Sequence, residues 1–521
     1  MAEKVKKGIT LSRRSFLKFA GGLSVTGAVL GLAGCGKPLT PEKAAGGDGW
    51  LPTQYDNRGD FPTQVKGRIS IDPKNPSITR DDQKCILCGQ CIEVCQNVQT
   101  VYGYYKLPIK NETICVNCGQ CTHWCPTAAI TEVDDTQKVW EALADPDKIV
   151  IAQTAPAIRV AIGDDYGFPI GTNVEGKMVA ALREIGFDYV ADTNWAADLT
   201  IMEEASEHVH RLKDPTAPYT MFTTCCPAWV KFMEYYYPEM IPKYSTSKSP
   251  QAMMGAMIKT YFAEKKGIDP SKIVSVAVMP CAAKKYECTR EELNSAAKYH
   301  NKPGMRDIDV VLTTREFSEM LKMKKIDLAK LQDSDFDNLV GEASGAGYIF
   351  ANSGGVIEAA VRTAYFLATG EQPPAVVLDL QPVHGLQGIK EATLEIPGIG
   401  EEKIAVAQGL NNARKICDMI NAGQAPWRLV EVMACPGGCI SGGGQPRSSV
   451  PPQDRVREKR IEAVYKIDKS MRIRLSHENP EIKKIYTEFL GQPLSEEAEL
   501  LLHTHYVPKD HLLTAKKPSE Y

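Results

Sequence analysis

The residues most able to do chemistry in this sequence are its cysteines, of which the 521-residue chain has 16. Half of them lie between residues 85 and 125, in two runs of identical spacing. In each run two residues separate the first three cysteines, and a fourth follows after three more residues. The runs are Cys85, Cys88, Cys91 and Cys95, then Cys115, Cys118, Cys121 and Cys125. Thiolates at this spacing can surround an iron–sulfur cluster, whereas zinc sites usually show cysteine pairs separated by a longer spacer.

The doubled run is similar to the one that binds two 4Fe–4S clusters in bacterial ferredoxins. In that pattern three thiolates of a run hold one cluster, and the fourth cysteine reaches across to the other cluster. The runs therefore predict an α+β electron-transfer domain over 76–147. One cluster would be held by Cys85, Cys88, Cys91 and Cys125, and the other by Cys95, Cys115, Cys118 and Cys121. Zinc sites or disulfides are the alternatives, and a ferredoxin domain by itself serves many enzymes.

Five further cysteines follow predicted strands. Helical periodicity at 175–185 and 355–369, between short apolar strand-like segments, indicates an α/β domain. The strands are predicted at 148–153, 219–222, 273–278 and 429–432. The segments that follow the last three contain Cys225, Cys226, Cys281, Cys435 and Cys439. Because ligand sites in α/β sheets lie at the carboxyl ends of strands, these thiols predict one pocket lined by thiolates. The neighbours Cys225 and Cys226 cannot easily both bind one cubane, so one is available for chemistry; buried structural thiols are the alternative.

Three of these segments carry a close family resemblance. TTCCPAW (223–229), MPCAAKKYE (279–287) and EVMACPGGCISGGGQP (431–446) resemble the signature loops of FeFe hydrogenases. The resemblance extends over about 148–450. The segment 474–486 resembles the C-terminal helical part that some members encode as a separate small subunit. The resemblance implies a two-lobed α/β catalytic domain with the metal site between the lobes, preceded by the ferredoxin domain and followed by a helical segment.

The same resemblance implies a cofactor and the residues that bind it. The H-cluster of this family is a 4Fe–4S cubane joined through one cysteine to a di-iron unit with CO, cyanide and azadithiolate ligands. The implied cubane ligands are Cys226, Cys281, Cys435 and the bridging Cys439. Lys284 would hold one cyanide by a charge-assisted hydrogen bond. The other residues implied at the di-iron unit are Pro156, Ala157, Met279 and Met433.

A path for protons is also implied by the resemblance. Heterolytic H2 cleavage releases a proton that must leave a dry interior through titratable groups. The family pattern assigns this role to Cys225, followed by Glu204, Ser245 and Glu207. The chain has one extra residue between Glu207 and Cys225, so the two glutamates are assigned from the EEASE motif at 203–207. A solvated helix face is the alternative for these glutamates.

The implied activity is reversible H2 cleavage, H2 = 2 H⁺ + 2 e⁻. Electrons would pass through the two ferredoxin clusters to an external acceptor: a cytochrome, a membrane quinone-reactive subunit or a ferredoxin. The alternatives are a non-catalytic H2 sensor and an iron–sulfur electron-transfer or assembly protein. The formal net charge of −3 gives no reason to expect a nucleic-acid partner.

The N-terminus predicts export. A basic start precedes a short uncharged stretch at 19–33, which is typical of a secretory signal. The segment SRRSFLK (12–18) resembles the twin-arginine motif, and LAGC (32–35) resembles a lipobox, which implies acylation of Cys35. We therefore expect a periplasmic protein, or one at the outer face of the cytoplasmic membrane, held by a lipid on Cys35. That location favours H2 uptake.

The predicted domain order follows from these motifs. The parts are a signal at 1–35, a linker at 36–75, the ferredoxin domain at 76–147, the catalytic domain at 148–450 and the helical segment at 451–521. A strand is also expected around 65–71. Cys288 and Cys417 match no motif and are interpreted as packing thiols.

Overall fold

A computed structural model describes residues 66–105, 113–447 and 449–513, which belong to one compact unit. The predicted signal, Cys35 and most of the predicted linker lie outside these residues. The strands are β1 Ile78–Arg80, β2 Ile130–Glu132, β3 Ile149–Thr154, β4 Tyr189–Asp192, β5 Met221–Phe222, β6 Ile273–Met279, β7 Val310–Thr313, β8 Ile389–Ile396, β9 Gly400–Gln408 and β10 Leu429–Met433.

The α-helices lie mostly between these strands or after the last one. They are α1 Gln90–Glu93, α2 Gln120–Trp124, α3 Thr136–Ala144, α4 Glu175–Ile185, α5 Thr193–Lys213, α6 Pro227–Tyr236, α7 Pro250–Met257, α8 Ala263–Lys266, α9 Ala283–Glu287, α10 Ser295–Tyr299, α11 Thr314–Met323, α12 Gly345–Ile349, α13 Gly355–Thr369, α14 Ala375–Leu378, α15 Leu410–Asn421, α16 Asp454–Ser470, α17 Pro480–Ile485 and α18 Glu496–Leu502.

The cysteine-rich part is a small α+β arrangement. Strands β1 and β2 pair antiparallel, with Ile78 opposite Glu132. Gly89 and Gly119 immediately precede helices α1 and α2 and have φ values of 78° and 72°, which favour glycine. The strand expected around 65–71 is not formed over residues 66–71: Gly67 makes only an isolated bridge to Cys88. The segment therefore lies beside the first cysteine run without extending a sheet.

Two four-stranded sheets form the core of the larger part. One has the order β4-β3-β6-β7 and is entirely parallel. Its central strands are apolar almost throughout, because helices cover both faces of a parallel sheet. The other has the order β5-β10-β9-β8, and only its β8–β9 pair is antiparallel. The two sheets are the two lobes that the resemblance implied, and the α/β fold class is confirmed.

Helix α5 is the longest helix of the described part, with 21 residues, and it is buried along most of its length. Its N-cap is Asp192, whose carboxylate accepts a hydrogen bond from the Asn194 backbone N–H at 3.0 Å. It contacts both α7 and α13. Because Glu203, Glu204 and Glu207 are all buried on it, the alternative interpretation of a solvated face is wrong for these glutamates.

The C-terminal part is helical, as the sequence predicts. Helices α16, α17 and α18 bury apolar side chains against the catalytic part, including Val464, Ile482 and Leu501. Among the described residues, no helix has the length and apolar character needed to cross a bilayer.

Candidate metal centres and active site

The first predicted cysteine set lines a single cavity. Cys85, Cys88, Cys91 and Cys125 all face it, together with Gly67 and Gly89. Two of the sulfurs accept backbone hydrogen bonds: Cys91 Sγ from Ile69 N–H at 3.4 Å, and Cys125 Sγ from Ala129 N–H at 3.1 Å. Cys125 belongs to the second run, so the structure brings the fourth cysteine across, as the ferredoxin pattern predicts.

The second predicted set lies deeper in the molecule. Burial, and then the neighbouring Cys115 thiol, raise the pKa of Cys95 to about 12. Cys118 and Cys121 interact electrostatically with both Cys95 and Cys115. The thiols of this set therefore lie close to one another, although Cys95 comes from the first run. Cys118 also interacts with Cys281 of the catalytic part, which puts the two parts side by side here.

The third group comes from both lobes. Cys226 is the N-cap of α6 beyond β5, Cys281 follows β6, and Cys435 and Cys439 follow β10. Burial, followed by the nearby Cys226, raises the pKa of Cys281 to about 12. Cys435 and Cys439 each interact with Cys281 and Cys226. The predicted convergence of strand ends is therefore observed, with β6 in one sheet and β5 and β10 in the other.

The donor set fits iron–sulfur clusters better than the alternatives. All cysteines of the described part are free thiols, so none of them forms a disulfide. Four sulfurs around one zinc ion lie about 3.8 Å apart. Within the described residues, no three cysteine sulfurs lie within 4.8 Å of one another. Wider sulfur spacing is what a cubane requires, because its ligands bind different iron atoms.

Two glycines allow close contact between the second and third groups. A Cβ on Gly119 would lie 2.8 Å from the Ala282 Cβ, and one on Gly443 would lie 2.7 Å from the Gly119 Cα. Neither contact leaves room for a side chain. Backbone therefore meets backbone beside Cys118, where the two cysteine groups approach each other.

The remaining residues implied at the di-iron unit also lie at strand ends. Met279 ends β6 and Met433 ends β10, and both side chains are buried. Pro156 and Ala157 follow β3, and the Ala157 carbonyl accepts a hydrogen bond from Gln445 Nε2 at 3.0 Å.

Lys284 reaches the loop that holds the cysteine pair. Its Nζ donates to the Cys225 carbonyl at 3.1 Å and forms an ion pair with Glu287 at 2.9 Å. Glu287 also accepts hydrogen bonds from Ser249 and Gln251, each at 3.0 Å. Burial alone would lower the pKa of Lys284, but Glu287 outweighs it and the net shift is upward. The lysine is therefore a fixed cation beside the site.

The implied proton carriers lie close to one another. Ser245 Oγ donates to Glu207 Oε2 at 2.7 Å, and the Thr224 backbone N–H donates to Glu204 at 3.4 Å. Burial, and then the charge of Glu207, raise the pKa of Glu204 to about 8. Burial and the charge of Glu204 raise the pKa of Cys225. The extra residue before Cys225 does not separate these groups.

Sequence reasoning missed three polar residues at these sites. Arg211 donates to Glu207 at 2.6 Å, Glu287 pairs with Lys284, and Gln120 donates to Cys435 Sγ at 3.1 Å. The first two follow their partners by one helical turn, at i+4 and i+3, which could have been noticed. The third bond joins residues 315 positions apart, and no local pattern signals it. Cys288 and Cys417 lie among packed side chains, as predicted.

Comparison with known families decides the assignment. The family model described as the iron-only hydrogenase large subunit, C-terminal domain, matches residues 148–443. That for the iron hydrogenase small subunit matches residues 454–509. The chain belongs to the FeFe hydrogenase family.

Several hydrogenases are similar to this FeFe hydrogenase over most of its length. The NADP-reducing hydrogenase subunit of Solidesulfovibrio fructosivorans is 47% identical over 84% of this chain and 75% of its own. The periplasmic Fe hydrogenase large subunit of Nitratidesulfovibrio vulgaris is 46% identical over 70% of this chain and 85% of its own. The solved FeFe-hydrogenase of Chlamydomonas reinhardtii, in a variant form, covers 72% of this chain and 99% of its own, with a TM-score of 0.65 and 41% identity. Cytosolic Fe–S cluster assembly factors match less closely, at 28–30% identity.

The FeFe hydrogenase is therefore an oxidoreductase that interconverts H2 with protons and electrons. Its cofactors are accessory 4Fe–4S clusters and the H-cluster. The alternative of a non-catalytic assembly protein is disfavoured by the higher identity to hydrogenases.

Proposed function

We propose that this hydrogenase works in the uptake direction at the outer side of the cytoplasmic membrane. Its cubane would be held by Cys226, Cys281, Cys435 and Cys439. The observation that carries this ligand assignment is the convergence of these four thiols from both lobes beside the Cys118 group. When bound, the H-cluster supplies the polarised cleavage of H2 into protons and electrons.

Lys284 and Cys225 would have different roles in this chemistry. Lys284 is held by Glu287 and so presents a fixed positive charge, which suits an anionic cyanide ligand. The bridging role of Cys439 and the contacts of Pro156, Ala157, Met279 and Met433 with the di-iron unit follow from the family resemblance. Cys225 would accept the departing proton, because it is the thiol of the group not required as a ligand.

From Cys225 the proton would move outward along helix α5. Glu204 is a suitable next carrier, because a pKa of about 8 lets it take up and release protons near neutral pH. The hydrogen bond from Ser245 to Glu207 continues the route, and Arg211 binds the other oxygen of Glu207. Glu207 and Arg211 have side-chain exposures of 11% and 16%, so they are the members of the route nearest to solvent.

Electrons would leave in the other direction. They would pass from the cubane to the cluster of Cys95, Cys115, Cys118 and Cys121, and then to the cluster of Cys85, Cys88, Cys91 and Cys125. The last set lines a cavity beside Ile86, whose side chain is 62% exposed. An external acceptor, a cytochrome or a membrane quinone-reactive subunit, would dock there.

The location rests on the N-terminal motifs and on a relative. The twin-arginine pattern at 12–18 suits a protein that is folded and loaded with metal before export, and Cys35 would carry a lipid. The large subunit from Nitratidesulfovibrio vulgaris is named periplasmic. Release of protons outside the membrane is useful when H2 is consumed, which favours uptake.

The test is H2-dependent reduction of a viologen dye by the purified, maturase-loaded protein. We expect the parent enzyme to reduce the dye, and Cys225→Ala to keep its iron content while losing most turnover, by about 100-fold or more. No dye reduction by a parent protein with full iron occupancy would contradict the enzyme assignment.

Cys288→Ala is the matched control. This thiol is also partly buried, and its Sγ donates to the Lys285 carbonyl at 3.1 Å. We expect the control to retain parental turnover. Equal turnover in Cys225→Ala and Cys288→Ala would remove Cys225 from the proton route.

A further inference from the structure

We propose that Gln120 is a positioning residue for the catalytic cubane: its side-chain amide binds the Cys435 thiolate and raises the cubane's reduction potential. The inference rests on the proposed ligand role of Cys435. Gln120 lies on α2, in the second ferredoxin run, and not in the catalytic part. The electron-transfer domain would thereby set the potential of the centre with which it exchanges electrons.

The geometry of the Gln120 amide supports this role. Nε2 donates to Cys435 Sγ at 3.1 Å and to the Ser441 carbonyl at 2.9 Å, so both amide hydrogens are used. The side chain is buried, with 2% of its surface exposed. A buried amide held at two points keeps one orientation, and the orientation directs one N–H at the sulfur.

The neighbourhood of α2 keeps this contact in place. Thr122 Oγ1 donates to the Gly443 carbonyl at 2.9 Å, and the His123 ring nitrogen Nε2 lies 2.7 Å from the Gly442 carbonyl oxygen. Helix α2 therefore binds the loop after β10 through three side chains, those of Gln120, Thr122 and His123. Among these, Gln120 is the one that reaches a cysteine sulfur.

A hydrogen bond to a cluster sulfur shifts the redox equilibrium in a known direction. The reduced cluster carries one more negative charge, so its thiolates accept hydrogen bonds more strongly than those of the oxidised cluster. The bond therefore stabilises the reduced state and raises the reduction potential. A cubane that is easier to reduce accepts electrons from H2 more readily.

The experiment is a redox titration of the holoenzyme, followed by electron paramagnetic resonance and by infrared spectroscopy of the H-cluster. In Gln120→Leu we expect the ratio of reduced to oxidised cubane, at a fixed potential, to fall by about three- to tenfold. A tenfold change corresponds to about 59 mV for a one-electron couple. The ferredoxin clusters should keep their parental potentials and the protein its iron content.

Two matched variants separate the amide–sulfur bond from looser packing. Thr122→Val removes a bond from the same helix to the same loop without touching a sulfur. Gln90→Leu removes the glutamine at the equivalent position of the first run. We expect both to leave the cubane potential unchanged.

The outcomes are distinguishable. A parental cubane potential in Gln120→Leu, or an equal shift in Thr122→Val, would overturn the inference and leave the proposed function intact. A Cys435→Ser protein that retains the complete H-cluster spectrum of the parent would instead overturn the ligand assignment on which the inference rests.

Discussion

Glu204 is a buried carboxyl group whose environment makes ionisation costly. With 1% of its surface exposed, it has lost nearly all contact with solvent, and the neighbouring Glu207 adds a like charge. Its pKa of about 8 compares with an ordinary value of 4.5. Such a group lowers the stability of the folded enzyme when it ionises, and it is suited to carry protons. The first property is measured by thermal unfolding and the second by H2-dependent turnover.

The stability cost of Glu204 depends on pH. In the unfolded chain the carboxyl ionises near 4.5, whereas in the folded enzyme it holds its proton up to about pH 8. Between these values the folded state binds more protons, so rising pH favours unfolding, on the order of 1 kcal/mol per pH unit. We expect Glu204→Gln, which cannot ionise, to gain thermal stability relative to the parent as pH rises from 5 to 8.

The measurement is the Tm of both proteins, loaded with their clusters, at several pH values in that range. A Tm difference that stays constant with pH would mean that Glu204 ionises normally in the folded enzyme. The same Glu204→Gln protein should lose most of its H2-dependent dye reduction, because an amide cannot carry the proton onward.

At the scale of elements, helix α5 joins the proton route to the C-terminal segment. Glu203 lies one residue before Glu204, but its carboxylate points to other partners. It binds His503 Nε2 at 3.0 Å, the Leu494 backbone N–H at 2.9 Å and the Tyr486 hydroxyl. All three partners belong to the part matched by the small-subunit family, so Glu203 connects that part to the helix of the proton carriers.

The His503–Glu203 pair gives the C-terminal segment a pH-dependent attachment. Burial alone would lower the pKa of His503, but the hydrogen bond and charge of Glu203 outweigh it, with smaller effects from Glu499 and Glu207, and the net shift is upward. The stabilisation is complete below the ordinary value of 6.5 and is lost as pH rises through the raised value. We expect His503→Ala to lower stability by about 1–3 kcal/mol at pH 5.5 and by less at pH 8.5.

The check is the Tm of the variant and the parent at the two pH values, with limited proteolysis of the C-terminal segment as a second reading. Glu499→Gln is the control, since Glu499 has a side-chain exposure of 52% and lies 3.9 Å from His503 Nδ1. A larger Tm loss at pH 8.5 than at pH 5.5 would contradict the prediction.

Several helices and strands could be predicted from the sequence alone, with bounds close to those in the structure. Periodicity gave the helices at 175–185 and 355–369 the bounds that α4 and α13 have in the structure. The strands before the cysteines were found to within about two residues, because each is a short apolar run followed within three residues by a proline or a cysteine.

What could not be predicted depends on distant pairings. Nothing local indicates that β10 lies between β5 and β9, or that β3 and β6 belong to a different sheet. The contact between Glu203 and His503 could not be predicted from the sequence either, since a single histidine near the C-terminus has no distinctive pattern. The expected strand at 65–71 failed for a related reason, because Gly67 finds one bridging partner, Cys88, and no strand to pair with.

At the scale of the whole molecule, the three cysteine groups are arranged from the surface inward. The first lies beside the exposed Ile86, the second has Cys118 and Cys121 buried, and the third lies where the carboxyl ends of both sheets meet. Protons and electrons would leave by separate routes, the former along α5 and the latter through α2. This separation lets each route be interrupted without disturbing the other.

The export proposal is also testable for the whole molecule. We expect Arg13→Lys with Arg14→Lys to retain the loaded enzyme in the cytoplasm, because twin-arginine transport requires the arginine pair. Cell fractionation with dye reduction as the assay measures the distribution. We expect Cys35→Ala to be exported but to lose incorporation of labelled fatty acid. Unchanged export of the double variant would contradict the twin-arginine assignment.

The backbone contact between Gly119 and Gly443 constrains how such enzymes can be recombined. A chimaera that replaces the ferredoxin domain while keeping the catalytic part must bring its own glycine and glutamine to α2. Otherwise the new domain would collide with the loop after β10 or leave Cys435 without its donor. The natural boundary for exchange is therefore a pair of segments, α2 together with the loop that follows β10, and not the point in the chain where one domain ends and the next begins.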